Sequence, residues 1–154
     1  MATSLLLLAF RVDTQPHAKG RPRWSEKNRK TYTPTATKVY EKLVSACATQ
    51  AAFSSVNGSI LPIDEGVPLE VITTFYLHRP KRLMRKTDPD GPIAHTRRPD
   101  IDNLVKSVLD GIDRSGMVWH DDAQVCHTQS YKYYHGKKEK PHVLVQICRV
   151  EGDG

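Results

Sequence analysis

Two carboxylates and an ammonium group lie close together in the run RPDIDNLVK, which extends from Arg98 to Lys106. Asp100 and Asp102 are separated by one residue, and Lys106 follows Asp102 by four residues. Neighbouring carboxylates repel one another unless a cation or a proton intervenes, and oxygen ligands of this kind are preferred by Mg²⁺. The lysine would then place a positive charge on a phosphate or on a leaving oxygen.

A second acidic pair, Asp121 and Asp122, directly precedes a segment with the composition of a strand. If that strand lies beside the start of the helix, either acid can supply a third metal ligand, and spacing alone does not choose between them. One or two Mg²⁺ ions held in this way would activate water and neutralise charge on a scissile phosphate. The acids and the lysine together therefore suit metal-assisted phosphodiester cleavage, although D-x-D pairs also bind Mg²⁺ in nucleotidyl and phosphoryl transferases.

Each of these residues also has an ordinary structural interpretation. Asp100 or Asp102 can cap a helix or complement its dipole. Asp102, Lys106 and Asp110 recur every four residues, which is the spacing of an ion-pair ladder on a solvated helix face. For any one residue the structural interpretation is favoured, whereas the whole set in one basic chain favours a metal site.

The elements that must position these residues indicate an α/β (α+β) fold, with a mixed sheet of about four strands and two main helices. Apolar residues recur at helical spacing from Ile101, so a helix is predicted over 101–113, before Gly116. The other helix is predicted from Pro34 to about Ala52, with an apolar face at Val39, Leu43, Ala46 and Cys47. Strands are predicted at 4–13, 67–77, 125–134 and 143–150.

Two basic segments, at about 15–33 and 79–98, are rich in Pro and Gly and are predicted to be irregular loops. The chain has 23 Lys and Arg against 17 Asp and Glu, and its net charge of +6 favours polyanionic partners such as nucleic acid. Trp24 either stacks on an opened base or covers an edge of the core. The expected contacts with DNA phosphates are Lys19, Arg21, Arg23, Lys81, Arg82, Arg85, Lys86, Arg97 and Arg98.

The 154 residues have the length of one domain, and 1–154 is predicted to be a single domain. The three cysteines are widely spaced and contain no C-x-x-C, so neither a disulfide framework nor a zinc knuckle is indicated. This favours the reducing cytoplasm. The apolar run 4–10 has no preceding basic residue or cleavage site, and no segment approaches the length of a membrane span.

The run from Arg98 to Lys106, followed by LDGI (109–112) and GMVWHDDAQV (116–125), resembles the central motif of the RusA-type Holliday-junction resolvases. That motif is D-x-D-N-x-x-K, then a helix, then D-D-x-Q-V. The run KGRPR (19–23) is also similar to an early loop of many family members. The resemblance implies a small α/β homodimer that cuts four-way DNA junctions with Mg²⁺, for which Mn²⁺ can substitute.

The same resemblance implies the roles of individual residues. It places the essential acids, which are the metal ligands, at Asp100, Asp102 and Asp122, and the catalytic lysine at Lys106. Because relatives are often encoded by phages or prophages, it also implies a role in phage recombination or replication inside a bacterial host.

We therefore expect a magnesium-dependent crossover junction endodeoxyribonuclease that resolves Holliday junctions or other branched DNA by paired nicking, in recombination and repair. Two other functions stay open. One is a branched-DNA-binding protein without catalysis, and the other is a magnesium-dependent nucleotidyl or phosphoryl transferase. The sequence lacks a G-x-x-x-x-G-K-[ST] loop, which counts against the transferase.

Overall fold

A mixed five-stranded sheet supports the two helices of the computed structural model, which describes residues 3–54 and 61–152. Two further short strands pair in a separate ribbon. The elements in chain order are β1 (Thr3–Val12), β2 (Arg23–Ser25), β3 (Lys30–Tyr32), α1 (Thr35–Ser54), β4 (Leu69–Leu77), β5 (Ile93–Ala94), α2 (Ile101–Ser115), β6 (Val125–Tyr134) and β7 (His142–Glu151). This small α+β domain confirms the predicted fold class.

The strand order in the main sheet is β1-β7-β4-β6-β5. β4 and β6 run parallel, and the other neighbouring pairs are antiparallel. The four predicted strands correspond to β1, β4, β6 and β7. The two-residue strand β5 was not predicted, because so short a run inside a Pro-rich segment has no detectable alternation.

The core lies between the helices and one face of the sheet. Ile72, Thr74 and Tyr76 lie on the other face and are half-buried. The side chains of β4 that point toward the helices are buried: Leu69, Val71, Thr73, Phe75 and Leu77. This alternation is what predicted the strand, since successive strand residues point to opposite faces.

α2 packs on this core through the apolar stripe that predicted it. Leu104, Val108 and Ile112 are fully buried, and burial of each such side chain is worth about 1.5–3 kcal/mol. Gly111 faces α1 so closely that an added Cβ would lie 2.6 Å from Val44 Cβ. The helix ends at Gly116, which has the left-handed φ of 61° and confirms the predicted end.

α1 faces the core with a different side from the predicted one. Val39 is 61% exposed and Leu43 is 40% exposed. The buried side instead contains Thr37, Tyr40 and Glu41, followed by Val44, Ala48 and Ala52. The predicted apolar face was wrong because a charged residue, Glu41, lies on the buried side, where it pairs with basic residues from elsewhere in the chain.

The two basic segments are more regular than predicted. Within 15–33, β2 and β3 form an antiparallel ribbon, so the expectation of an irregular loop was wrong there. Within 79–98, a short 3-10 helix (Lys81–Leu83) and β5 interrupt an otherwise irregular path. The sequence also predicts a loop at 54–66, of which residues 55–60 lie outside the described residues.

Two further observations concern the helices and the cysteines. Within residues 3–54 and 61–152, neither helix is both long enough and apolar enough to span a bilayer. Cys47, Cys126 and Cys148 are free thiols in this part of the chain.

Candidate active site

The ammonium group of Lys106 lies among carboxylates on the solvent side of α2. Its Nζ is 3.1 Å from Asp110 Oδ1, one turn later in the helix, and 3.9 Å from Asp122 Oδ2. Hydrogen bonding to Asp110 raises the pKa of Lys106, although partial burial opposes this effect. The lysine is therefore held as a cation, and its side chain remains 54% exposed.

The turn that carries Asp122 is anchored by Gln124. The Gln124 side-chain amide donates to the carbonyls of Asp64 (2.9 Å) and Val67 (3.2 Å). Its Oε1 accepts from the backbone N–H groups of His120 (3.0 Å) and Asp121 (3.3 Å). No role was predicted for Gln124, although its place in the D-D-x-Q-V motif is a signal for one.

The adjacent acids of this turn differ in their surroundings. Asp121 accepts a hydrogen bond from the N–H of Ala123 (2.9 Å) and so caps the 3-10 helix Asp122–Gln124. That bond, and a second one with Asp122, lower the pKa of Asp121. Burial raises the pKa of Asp122 to about 6, assisted by the hydrogen bond with Asp121 and by the charge of Asp113. The geometry thus separates a capping acid from an acid that faces the site.

Three carboxylates come together beside Lys106. In the described part of the chain, Asp110, Asp113 and Asp122 each offer an oxygen within 4.8 Å of the others. Asp113, for which no role was predicted from the sequence, also accepts a hydrogen bond from Trp119 Nε1. Carboxylate oxygens at this separation can hold a divalent cation. This cluster shares only Asp122 with the predicted ligand set.

The other two predicted ligands lie at the N-terminal end of α2. Asp100 directly precedes the helix and lines a groove with Ala18, Arg98, Pro99 and Asn103. Asp102 is exposed in the first turn, and its Oδ1 accepts from the N–H of Asn103 (2.9 Å). Asp102 and Asp110 are about 12 Å apart along the helix axis. One ion with metal–oxygen bonds of about 2.1 Å does not bridge that distance.

Lys19 connects the first basic segment to the site. Its ammonium lies 2.9 Å from Asp110 Oδ2 and also pairs with the buried Glu41. Burial alone would lower the pKa of Lys19, but its hydrogen bonds with Glu41 and Asp110 raise it. Its backbone N–H donates to the carbonyl of Asn103 (2.9 Å). The predicted phosphate contact is therefore engaged with two carboxylates in this structure.

The other predicted DNA contacts lie on the protein surface. Arg21 and Arg23 lead into the β2–β3 ribbon, on which Trp24 is 56% exposed and so does not cover a core edge. Arg85 pairs with Asp88. The remaining ones are exposed: Lys81, Arg82, Lys86, Arg97 and Arg98.

A buried arginine organises residues 79–98, and no role beyond membership of this basic segment was predicted for it. Arg79 is 2% exposed. Its guanidinium donates to the carbonyls of Leu83 (2.8 Å), Gly91 (3.0 Å) and Pro89 (2.7 Å). Loop carbonyls that would otherwise lack partners are satisfied in this way, and the exposed basic side chains are held on a defined backbone.

Comparison with known proteins places the chain in a family. A family model described as Endodeoxyribonuclease RusA matches residues 13–148, a range that contains every predicted metal ligand and Lys106. A protein of Bacillus subtilis (strain 168), YqaN, which is described as uncharacterized, is 29% identical over 145 residues. That alignment covers 93% of this chain and 96% of the Bacillus protein. The chain belongs to the RusA endodeoxyribonuclease family.

Proposed function

We propose that the protein is a magnesium-dependent, structure-selective endodeoxyribonuclease that resolves Holliday junctions or other branched DNA by paired nicking. The observation that carries this proposal is the position of Lys106 between Asp110 and Asp122, on the helix that bears the D-x-D-N-x-x-K motif of an endodeoxyribonuclease family. An ammonium group held beside carboxylates that can bind a metal stabilises the negative charge that develops when a phosphodiester is attacked.

Asp100, Asp102 and Asp122 are the proposed metal ligands, and Mn²⁺ is expected to substitute for Mg²⁺. Asp110 and Asp113 enlarge the donor set around Asp122, which supports a second metal position along α2. When bound, the metal supplies activation of water and neutralisation of charge on the phosphate. Lys106 is proposed to contact the scissile phosphate or the leaving oxygen, and its exposure leaves the ammonium accessible to DNA.

The basic segments are proposed to bind the DNA backbone, because phosphate neutralisation supplies most of the sequence-independent affinity. Trp24 on its ribbon is proposed to stack on an unpaired base at the branch point. A homodimer with two-fold symmetry would present two such sites and so make paired nicks. The proposed setting is recombination and repair of phage or prophage DNA in the bacterial cytoplasm.

The test is cleavage of a synthetic four-way junction, with linear duplex of the same sequence as the control substrate. We expect the wild type to nick the junction in Mg²⁺ and not in chelator, and Asp100→Asn to bind the junction without nicking it. Asp90→Asn is the matched control, because Asp90 is an exposed acid whose Oδ1 lies 3.5 Å from Lys137 Nζ. Equal nicking by the two variants would contradict the site, and equal cutting of linear duplex would contradict junction selectivity.

A further inference from the structure

Lys132 of β6 reaches the main chain directly before Asp100. Its ammonium donates hydrogen bonds to the carbonyls of Arg97 (2.6 Å) and Pro99 (2.7 Å). Lys132 is the strand partner of the buried Phe75, so its side chain lies on the helix-bearing face of the sheet. We infer that Lys132 is a positioning residue that directs the carboxylate of Asp100 toward the metal. This inference rests on the proposed function, in which Asp100 is a metal ligand.

The direction of the Asp100 carboxylate depends on the main chain that precedes it. Asp100 has an extended backbone (φ −73°, ψ 142°), and its side chain makes no capping bond to the described residues of α2. Its carbonyl accepts from the N–H of Leu104 (3.2 Å). The first turn of α2 therefore fixes the backbone after Asp100, and the turn 97–99 fixes the backbone before it.

The turn 97–99 is bonded to β6, and β6 is itself held in the main sheet. Its residues pair with β4 from Val125 to Tyr134, and the carbonyl of Lys132 accepts from the N–H of His95 (3.0 Å). Lys132 thus binds the segment 95–99 through both its main chain and its side chain. Residues that orient a metal ligand in this way change metal affinity when they are altered, although they do not touch the metal.

A second lysine makes the same kind of contact in another place. Lys137 donates from Nζ to the carbonyls of Arg85 (2.7 Å) and Asp88 (2.8 Å). These carbonyls belong to the same basic segment but lie more than ten residues before Asp100 in the chain. Lys137→Met therefore removes an equivalent pair of hydrogen bonds and leaves the support of Asp100 in place.

The experiment compares Lys132→Met with Lys137→Met and with the conservative Lys132→Arg. Mn²⁺ binding to the DNA-free protein is measured by electron paramagnetic resonance, and the Mg²⁺ dependence of junction nicking is measured separately. We expect Lys132→Met to weaken Mn²⁺ binding and to raise the Mg²⁺ requirement by about 10- to 100-fold. Lys132→Arg should restore part of the loss, because arginine can donate to the same carbonyls. Lys137→Met should match the wild type in Mn²⁺ affinity, which is measured without DNA.

Hydrogen exchange gives a readout that involves neither metal nor activity. The amides of residues 97, 98 and 100–104 should exchange faster in Lys132→Met, whereas Lys137→Met should affect the amides of residues 85–88, 90 and 91 instead. If Lys132→Met does not fold by circular dichroism, Lys132→Gln replaces it in the same comparison.

The outcomes separate this inference from the proposed function. Equal Mn²⁺ affinity in Lys132→Met and Lys137→Met would overturn the inference, while junction nicking by the wild type would still support the function. A wild type that nicks no branched DNA would overturn the function, and the Mn²⁺ measurements would still decide the role of Lys132.

Discussion

At the residue scale, the adjacent carboxyl groups of Asp121 and Asp122 differ in pKa, because one is hydrogen-bonded as a cap and the other is half-buried among acids. Asp121 is the N-cap of a 3-10 helix. Asp122 faces Lys106 and Asp113, and its pKa is raised to about 6, chiefly by burial. A capping bond to a backbone N–H stabilises the charged form of an acid, whereas desolvation and nearby negative charge destabilise it.

Asp→Asn changes at these two positions should therefore have different effects. Asp122→Asn should slow junction nicking by about 100-fold or more, equivalent to about 3 kcal/mol, because a proposed metal ligand is lost. Asp121→Asn should nick nearly as fast as the wild type, since asparagine is also a good N-cap. Single-turnover nicking rates provide the measurement. A larger loss for Asp121→Asn would show that the two roles are reversed.

The raised pKa of Asp122 has a defined pH dependence. The folded state binds this proton more tightly than the unfolded chain, whose aspartate pKa is near 3.8. The resulting stabilisation is complete below that value and is lost as the pH rises through about 6. Mg²⁺ should compete with the proton and lower the apparent pKa. A ¹³C NMR titration of the Asp122 carboxyl measures its pKa with and without Mg²⁺. A pKa insensitive to Mg²⁺ would exclude Asp122 as a ligand.

At the element scale, α2 can carry the site because Gly111 lets it approach α1 closely. Gly111→Ala should destabilise the protein by about 1–3 kcal/mol, although alanine has the higher helix propensity, since the new Cβ would overlap Val44. Adding Val44→Ala should offset part of this cost, so that the double variant is more stable than the sum of the single effects predicts. Urea unfolding measures all three. Simple additivity would show that the contact between α1 and α2 is not tight.

The β2–β3 ribbon exposes Trp24. This exposure favours a role for Trp24 in binding DNA over a role in packing the core. Trp24→Ala should weaken junction binding by about 1–3 kcal/mol if Trp24 stacks on one base, with little change in stability because Trp24 is largely exposed. Tyr131→Ala is the control, since Tyr131 is also exposed but lies on the sheet face away from the helices. Fluorescence anisotropy with labelled junctions gives both affinities. Equal losses would contradict a specific role for the ribbon.

At the scale of the whole molecule, the basic residues include some that pair with carboxylates and others that are exposed on the surface. Lys19, Lys106 and Arg114 pair with carboxylates at the site and on α1. Other basic residues are exposed in the segment 79–98. Residues 79–98 contain seven Lys and Arg against two Asp, so the proposed DNA-binding surface is strongly basic.

The salt dependence of junction binding should depend on the number of phosphate contacts that this surface makes. Lys81→Ala with Lys86→Ala should reduce the slope of log K against log salt by about 2, since each phosphate contact contributes about 0.9. The control pair is Lys38→Ala with Lys42→Ala, on the exposed side of α1, and it should leave the slope near that of the wild type. Identical slopes for the two pairs would exclude the segment 79–98 as the phosphate-binding surface.

The sequence by itself determined the four long strands, both helices and the motif residues around Lys106. Alternation in β4 and the apolar stripe of α2 are local properties, because one face of each element is buried throughout its length. The D-x-D-N-x-x-K and D-D-x-Q-V runs are local as well. Each of these features can be detected within a single stretch of chain.

Only the tertiary structure decided which side of α1 is buried, which acid of the pair faces α2, and how Asp100 is supported. Glu41 is buried because Lys19 and Arg114 reach it from distant parts of the chain. Asp113 joins the site because the turn before β6 folds against α2. Lys132 is separated by more than thirty residues from the carbonyls that it binds. A charged side chain inside the fold is stabilised by its partners. The residues next to it in the sequence do not identify those partners.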